Sequence, residues 1–420
     1  MPITAYTNIH LLVGVAKESN LLRGNTLKEV SILENAYLLV NGECINGYGT
    51  MQHFEASNYL PENIIDVNGA SVLPCWCDSH THCVFAASRE DEFVQKINGA
   101  SYQQIAANGG GILNSAKRIA AASEDELYFN AVRRIEQLIM LGTGAIEIKS
   151  GYGLSVEAEL KMLRVIKRLK ENMPIPIKAT FLGAHAFPLL YKEDRTGYIQ
   201  LIVQEMLPKI AAEQLADFID VFCENGFFTE AETVQICNAG LQYGLQPKIH
   251  ANQLSLSGGV QAGVAVGAIS VDHLETMDEA SVQLLANSHT IGTLLPTAAL
   301  FLRMQMPPAR QLIQANAAIA LASDYNPGSS PSGNMNLVVA LSCIQMKMLP
   351  EEAINAATIN GAFAMQLQHK VGSITVGKQA NLIFTKPISS LAYLPYAFGE
   401  NNIDEVMING AFFKPSLSFV

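Results

Sequence analysis

Between residues 71 and 322, short apolar or β-branched runs alternate with segments of helical period. No other feature limits the fold as much. The candidate strands are residues 71–77, 144–148, 177–182, 218–222, 246–249, 268–271, 290–294 and 318–322. Amphipathic stretches such as 125–141, 156–172 and 230–243 lie between them. Strands alternating with helices argue for a parallel sheet with crossover connections. About eight of them is the number that closes a (β/α)₈ TIM barrel, a fold that runs long as a single unit. No solenoid-length repeat or low-complexity segment competes with this α/β reading.

The ends of the chain have a different texture. Ala36 to Val40 reads as a strand followed by Asn41-Gly42, a strong hairpin signal, and Ala380 to Phe384 reads as another. Val406 to Ile408 leads into a second Asn-Gly, Asn409-Gly410. Two β-rich ends around a barrel predict a small β-sandwich-like domain built from residues 1–71 and 372–420, with 72–371 as the catalytic barrel.

Composition narrows the function. A net charge of −11 with no basic run argues against nucleic acid or an anionic membrane as partner. Hydrophobic residues at 49% against 15% charged mean a large buried core. Met1-Pro2-Ile3-Thr4 opens without a charged or apolar leader, and the apolar run 337–349 is broken by Gln345 and Lys347, so neither a signal peptide nor a membrane span is expected. Seven cysteines, an odd number, fit a reducing, cytoplasmic setting better than a disulfide framework. Cys75 and Cys77 have the opposite strand parity to the histidines beyond them, so they and Cys83 are read as core thiols rather than ligands.

The chemistry lies just beyond the end of each strand. In order come His80 and His82, then Lys149 to Tyr152, His185, Cys223-Glu224, His250, His273, Pro296 and Asp324. Five of the nine histidines therefore fall at strand C-termini, the edge where a barrel builds its active site. His80-Thr81-His82 places two imidazoles on one face of a strand, aimed at a single ion. With His250 and the carboxylate of Asp324 they make a nitrogen-and-oxygen ligand set for one divalent metal, zinc or iron, with a position left open for water. Such a cation lowers the pKa of its water to ~7, giving hydroxide near neutral pH. The bland alternatives are polar contacts at a strand end for the HxH and a turn or helix cap for Asp324, which sits in Ser-Asp-Tyr-Asn-Pro-Gly.

With these residues in place the chain resembles the amidohydrolase superfamily, and within it is very similar to the imidazolonepropionase family of histidine breakdown. The likeness runs from about Pro74 to Asn360 through the blocks SHTHCVFAASREDEF, NGGGI, EIKSGYGL, FLGAHAFP, VFCENGFF, KIHANQ, VDHLE and SDYNPGSS. It implies a barrel of amidohydrolase type, a homodimer, and hydrolysis of the cyclic amide of 4-imidazolone-5-propanoate to N-formimidoyl-L-glutamate. It also implies His80, His82, His250 and Asp324 as metal ligands. Arg89 would grip the substrate's propionate, although the run Arg89-Glu90-Asp91-Glu92 taken alone reads as a surface ion pair. Tyr152 would donate a hydrogen bond to the substrate and His185 would contact the ring. Asn326, Gly328 and Ser329 would form the floor of the pocket.

Gln253 departs from related aminohydrolases acting on purines or pyrimidines, which carry glutamate there to move protons to a ring nitrogen. An amide cannot act as a base at neutral pH, though it can hydrogen-bond an imidazolone. Gln253 therefore argues against deamination and leaves the proton duty to Asp324 and His273. Asp324 would take the proton of the attacking water and deliver it to the departing ring nitrogen. The metal, with help from His273 or His185, would stabilise the oxyanion; the bland alternative for His273 is a buried imidazole pinned by Asp272. The glycines of Asn108 to Ile112 read as a loop in preference to an anion nest. A deaminase on the same scaffold and a barrel without catalysis are the rival readings.

Overall fold

Both ends of the chain enter one mixed sheet in the structure, a computed structural model that describes residues 3–56, 61–99, 104 and 110–416. Its first strands are β1 (Ile3–Val13), β2 (Ile32–Asn41), β3 (Cys44–Thr50), β4 (Asn63–Asp66) and β5 (Val72–Pro74). The chain then enters the barrel strands β6 (Trp76–Thr81), β7 (Thr143–Lys149), β8 (Ile177–Ala184), β9 (Phe218–Cys223), β10 (Gln246–Ala251), β11 (Ser270–His273), β12 (Ile291–Leu294) and β13 (Ile319–Leu321). It returns to the first sheet as β14 (Leu382–Thr385), β15 (Ile403–Ile408) and β16 (Ala411–Phe412). The terminal sheet runs β16-β15-β14-β5-β1-β2-β3, with β4 also on β1. It curls until Ile45 N–H meets Lys378 O at 2.9 Å and Ala380 N–H meets Glu43 O at 2.8 Å. One face buries Tyr6, Leu12, Leu38, Val72, Phe384 and Met407 together.

The turns that join these strands come from residue chemistry. Asn409 and Gly410 both take positive φ (50° and 76°), the two-residue turn that Asn-Gly favours. At the first hairpin the turn falls one residue later than the Asn41-Gly42 signal. Asn41 still pairs with Cys44, leaving Gly42 (φ 56°) and Glu43 as the loop.

The run 71–77 is two strands rather than one. Val72 pairs with Leu12 and Leu73 with Ile383 in the terminal sheet, whereas Trp76 and Cys77 pair with β7 in the barrel. The switch falls at Pro74-Cys75, and proline has no N–H with which to continue a ladder. Cys75 and Cys77 are buried free thiols.

The eight barrel strands pair in parallel and in chain order. Almost every residue in them is buried, which is why they read as continuous apolar runs. Helix Glu124–Met140 is capped by Ser123, helix Val156–Asn172 by Ser155, and helix Glu230–Gln242 by a Thr229–Glu232 capping box. Ile135, Ile139, Leu163 and Ile166 from the first two join Ile146 and Ile148 of β7 in the main core.

Closure occurs just beyond β13. Asp324 N–H donates to His80 O at 3.0 Å and His82 N–H to Tyr325 O at 2.8 Å. The buried Asp78 carboxylate reinforces the seam, accepting from Ser323 N–H at 3.0 Å and from its hydroxyl at 2.5 Å. The backbone bonds that shut the cylinder therefore set Asp324 beside the HxH pair. Among the described residues, no helix is long and apolar enough to cross a membrane.

Candidate metal centre and substrate cavity

His80 and His250 point inward from β6 and β10, His273 ends β11, and His82, His185 and Asp324 each lie just past a strand end. The imidazoles crowd together, with ring centres 4.5 Å apart for His80–His250, 5.3 Å for His80–His82 and 5.6 Å for His82–His250. Asp324 Oδ1 lies 3.5 Å from His80 Nε2 and 3.6 Å from His82 Nε2. These gaps are long for hydrogen bonds. Two donors held ~2.1 Å from one tetrahedral cation are ~3.4 Å apart. Nε2 of His80 is buried without a hydrogen-bond partner, a costly condition that a metal ion would relieve. Donor atoms of His80, His82 and His250, and of His80, His273 and Asp324, lie within 4.8 Å of one another. The donor set fits one divalent metal.

Charge in the barrel floor orients these side chains. His80 Nδ1 donates to Asp272 Oδ2 at 2.7 Å. His250 donates its backbone N–H to Asp220 Oδ1 at 3.1 Å, and its Nδ1 lies 3.0 Å from Asp220 Oδ2, off the line of a hydrogen bond. Lys149 Nζ sits between Glu147 at 2.7 Å and Asp220 at 2.8 Å, with Asp272 at 3.5 Å. Lys248 pairs with Glu147 and donates to Ser79 O at 3.0 Å. All five of these acidic and basic side chains are fully buried. The sequence reading overlooked this group, whose members appear only as charged or polar residues two apart within apolar runs: Glu147/Lys149, Ser270/Asp272 and Lys248/His250.

Burial, and after it the Lys149 charge, holds His80 well below its ordinary pKa. Burial and His185 do the same to His82, so both are neutral donors. His185 is pushed down to about 3, chiefly by burial, and its Nδ1 donates to Gly151 O at 3.0 Å, which leaves Nε2 as an acceptor. His273 goes the other way. Burial lowers it, but the Glu275 carboxylate, 3.3 Å from its Nδ1, together with Asp324 and Asp272, raises it overall. The partner of His273 is thus Glu275, not Asp272, which is turned to His80 instead. Burial raises Asp324, with His273 and His250 pulling against it. His273, Leu274 and Asp324 all hold positive φ (87°, 67° and 52°), a strained region for residues other than glycine.

A cavity of about 600 Å³ opens over these groups, lined by His82, His250, His273 and Asp324. Arg89, Tyr152, His185 and Gln253 also line it, as do Asn326, Gly328 and Ser329. The residues expected to hold the metal or contact substrate therefore line this cavity, except His80, whereas Lys149, Cys223, Glu224 and Pro296 do not. Glu159 folds the loop that carries Tyr152, accepting from the N–H groups of Gly151, Gly153 and Leu154 at 3.1, 2.6 and 3.0 Å. Asn326 shapes its own turn, accepting from Gly328 and Ser329 N–H, both at 2.8 Å. Arg89 does form the ion pair of the bland reading, with Glu92 at 2.5 Å, and faces the cavity as well. Of the glycine run, Asn108 and Gly109 lie outside the described residues, and Gly111 caps helix Ile112–Ala121.

Comparison with known proteins agrees with this geometry. The model of the amidohydrolase family matches residues 71–412. The chain is 54% identical over 413 residues to an imidazolonepropionase of Flavobacterium johnsoniae, covering 97% of this chain and 99% of that one. It is 42% identical to one from a Geobacillus species, covering 91% of each. Among solved structures, the guanine deaminase of E. coli superposes with a TM-score of 0.75 at 12% identity, covering 99% of this chain and 100% of that one. The 5-methylcytosine deaminase of Klebsiella pneumoniae superposes with 0.72 at 15%, covering 99% of each. At such identities this is likeness of fold alone.

Proposed function

Because the chain belongs to the amidohydrolase family, among its imidazolonepropionases, we infer that it is a hydrolase of histidine degradation. It opens the cyclic amide of 4-imidazolone-5-propanoate to N-formimidoyl-L-glutamate. The observation that carries the reading is the meeting of three imidazoles and one carboxylate at the base of a cavity that also holds an arginine.

His80, His82, His250 and Asp324 would hold one zinc or iron ion. When bound, the cation supplies Lewis acidity that brings the pKa of a water toward ~7. Asp324, raised by burial, takes the proton of the attacking water as its oxygen bonds to the ring carbonyl carbon. The carbonyl oxygen gains negative charge, and His273, whose pKa Glu275 helps to raise, donates to it. When the carbon–nitrogen bond breaks, Asp324 returns the proton to the leaving nitrogen. Nε2 of His185 and the hydroxyl of Tyr152 orient the ring, and Gln253 hydrogen-bonds it without acting as a base. Arg89 holds the carboxylate arm through its planar fork.

The test is loss of imidazolone absorbance on adding purified protein, with and without a chelator. Turnover abolished by the chelator and restored by zinc or iron supports the reading. Ammonia released from guanine or cytosine instead would favour a deaminase.

A further inference from the structure

Arg89 is not the only cation at the cavity wall. Helix Glu90–Ile97 begins directly after Arg89, and Lys96 lies seven residues on, two turns along the same helical face. Both head groups converge on Gly328. A Cβ there would come within 2.2 Å of Arg89 Nη1, and Lys96 Nζ donates to Gly328 O at 3.4 Å. Both residues line the large cavity.

The two cations are unequally satisfied. Arg89 gives Nε and Nη2 to Glu92 Oε2, at 2.9 and 2.5 Å. The other oxygen of Glu92 accepts from Gly111 N–H at 2.9 Å. Arg89 and Glu92 therefore cancel, and a carboxylate meeting them alone would meet no net charge. Among the described residues, the half-buried Lys96 ammonium has a single long hydrogen bond for its three donors. It makes the group net positive.

We propose that Lys96 is the second cation of the carboxylate seat, so that the cavity selects rings carrying an acidic arm through Arg89 and Lys96 together. The proposal rests on the imidazolone reading for the identity of the ring, and on this geometry for the charge of the arm. Burial and the neighbouring Arg89 both lower the pKa of Lys96, a strain that an incoming anion relieves. Glu92 remains with Arg89 as the brace that fixes the guanidinium plane.

The test is calorimetric binding of imidazole-4-propanoate and of its primary amide to the metal-loaded enzyme. The ring of this probe has no amide to open, so the result stands whether or not the imidazolone itself is turned over. The wild type should prefer the acid to the amide by ~10-fold or more. Lys96→Met, which keeps the stem packed near Phe301, should lose about fivefold or more of that preference while amide affinity stays within about twofold. Lys96→Arg should restore it. An unchanged acid preference in Lys96→Met, or acid and amide weakened in parallel, would overturn the proposal.

Discussion

His80 Nδ1 lies 2.7 Å from Asp272 Oδ2, and both side chains are fully buried. A carboxylate there keeps the proton on Nδ1 and turns Nε2 toward Asp324 and the ligand cluster. Asp272 is itself fixed by the Ser270 hydroxyl at 2.5 Å. Replacing Asp272 by Asn should lower metal affinity by ~10–100-fold. Chelator competition with subsequent metal analysis measures this. Undiminished retention of metal would mean that the pair has no part in holding it.

In the proposed mechanism Asp324 serves both as ligand and as proton carrier, and its carboxylate is held by Ser329 Oγ at 3.3 Å and by Asn326. The backbone bond from Asp324 N–H to His80 O does not depend on the carboxylate. Asp324→Asn should therefore leave the circular dichroism spectrum intact while kcat falls by ~10²–10⁴-fold. A variant that turned over near the wild-type rate would remove Asp324 from the chemistry.

Gly153 lies where the Tyr152 loop meets the helix that begins at Val156. A Cβ at Gly153 would sit 2.4 Å from Glu159 N and 2.6 Å from Ala158 C, backbone atoms that cannot swing aside. Gly153→Ala must therefore displace the loop that carries Tyr152. We expect a stability loss of ~1–3 kcal/mol by urea denaturation, and kcat/KM reduced by up to ~10²-fold. A fully active, equally stable variant would show that the loop position does not matter to Tyr152.

Much of this was legible in the chain because parallel barrel strands, buried on both faces, leave apolar runs that stand out from amphipathic helices. The histidines were legible because a barrel gathers at one rim the residues that end its strands. Two features were not. The run 71–77 carries one strand pattern but serves two sheets, and a period of two cannot show which sheet a residue joins. The floor of Glu147, Lys149, Asp220, Lys248 and Asp272 depends on barrel register, which sets Lys248 opposite Asp220 and His250 opposite Asp272. No spacing within one segment encodes that pairing. The same holds for Lys96, whose reach to Gly328 spans more than two hundred residues of chain.

Glu275 is the residue whose role the sequence hid, because Asp272 stands closer along the chain to His273. The strained backbone at His273 and Leu274 turns the ring from Asp272 toward Glu275, whose Oε1 lies 3.3 Å from Nδ1. Its other oxygen is buried without a partner, so the carboxylate faces His273 with little to dilute its charge. Burial lowers the imidazolium's pKa, but that charge and hydrogen bond, with Asp324 and Asp272 adding to them, raise it above its ordinary value. Glu275→Gln keeps the shape and removes the charge, so burial then weighs more and His273 loses its proton at lower pH. If the imidazolium donates to the developing oxyanion, kcat should fall by ~10–10³-fold. The alkaline limb of its pH profile should move toward acid, because the active protonated form disappears earlier as pH rises. Metal content should stay at the wild-type level, since His80, His82, His250 and Asp324 are untouched. Rate profiles from about pH 6 to 10 on metal-analysed protein provide the measurement. A lower kcat with the alkaline limb unmoved would make Glu275 a packing residue and return the oxyanion to His185.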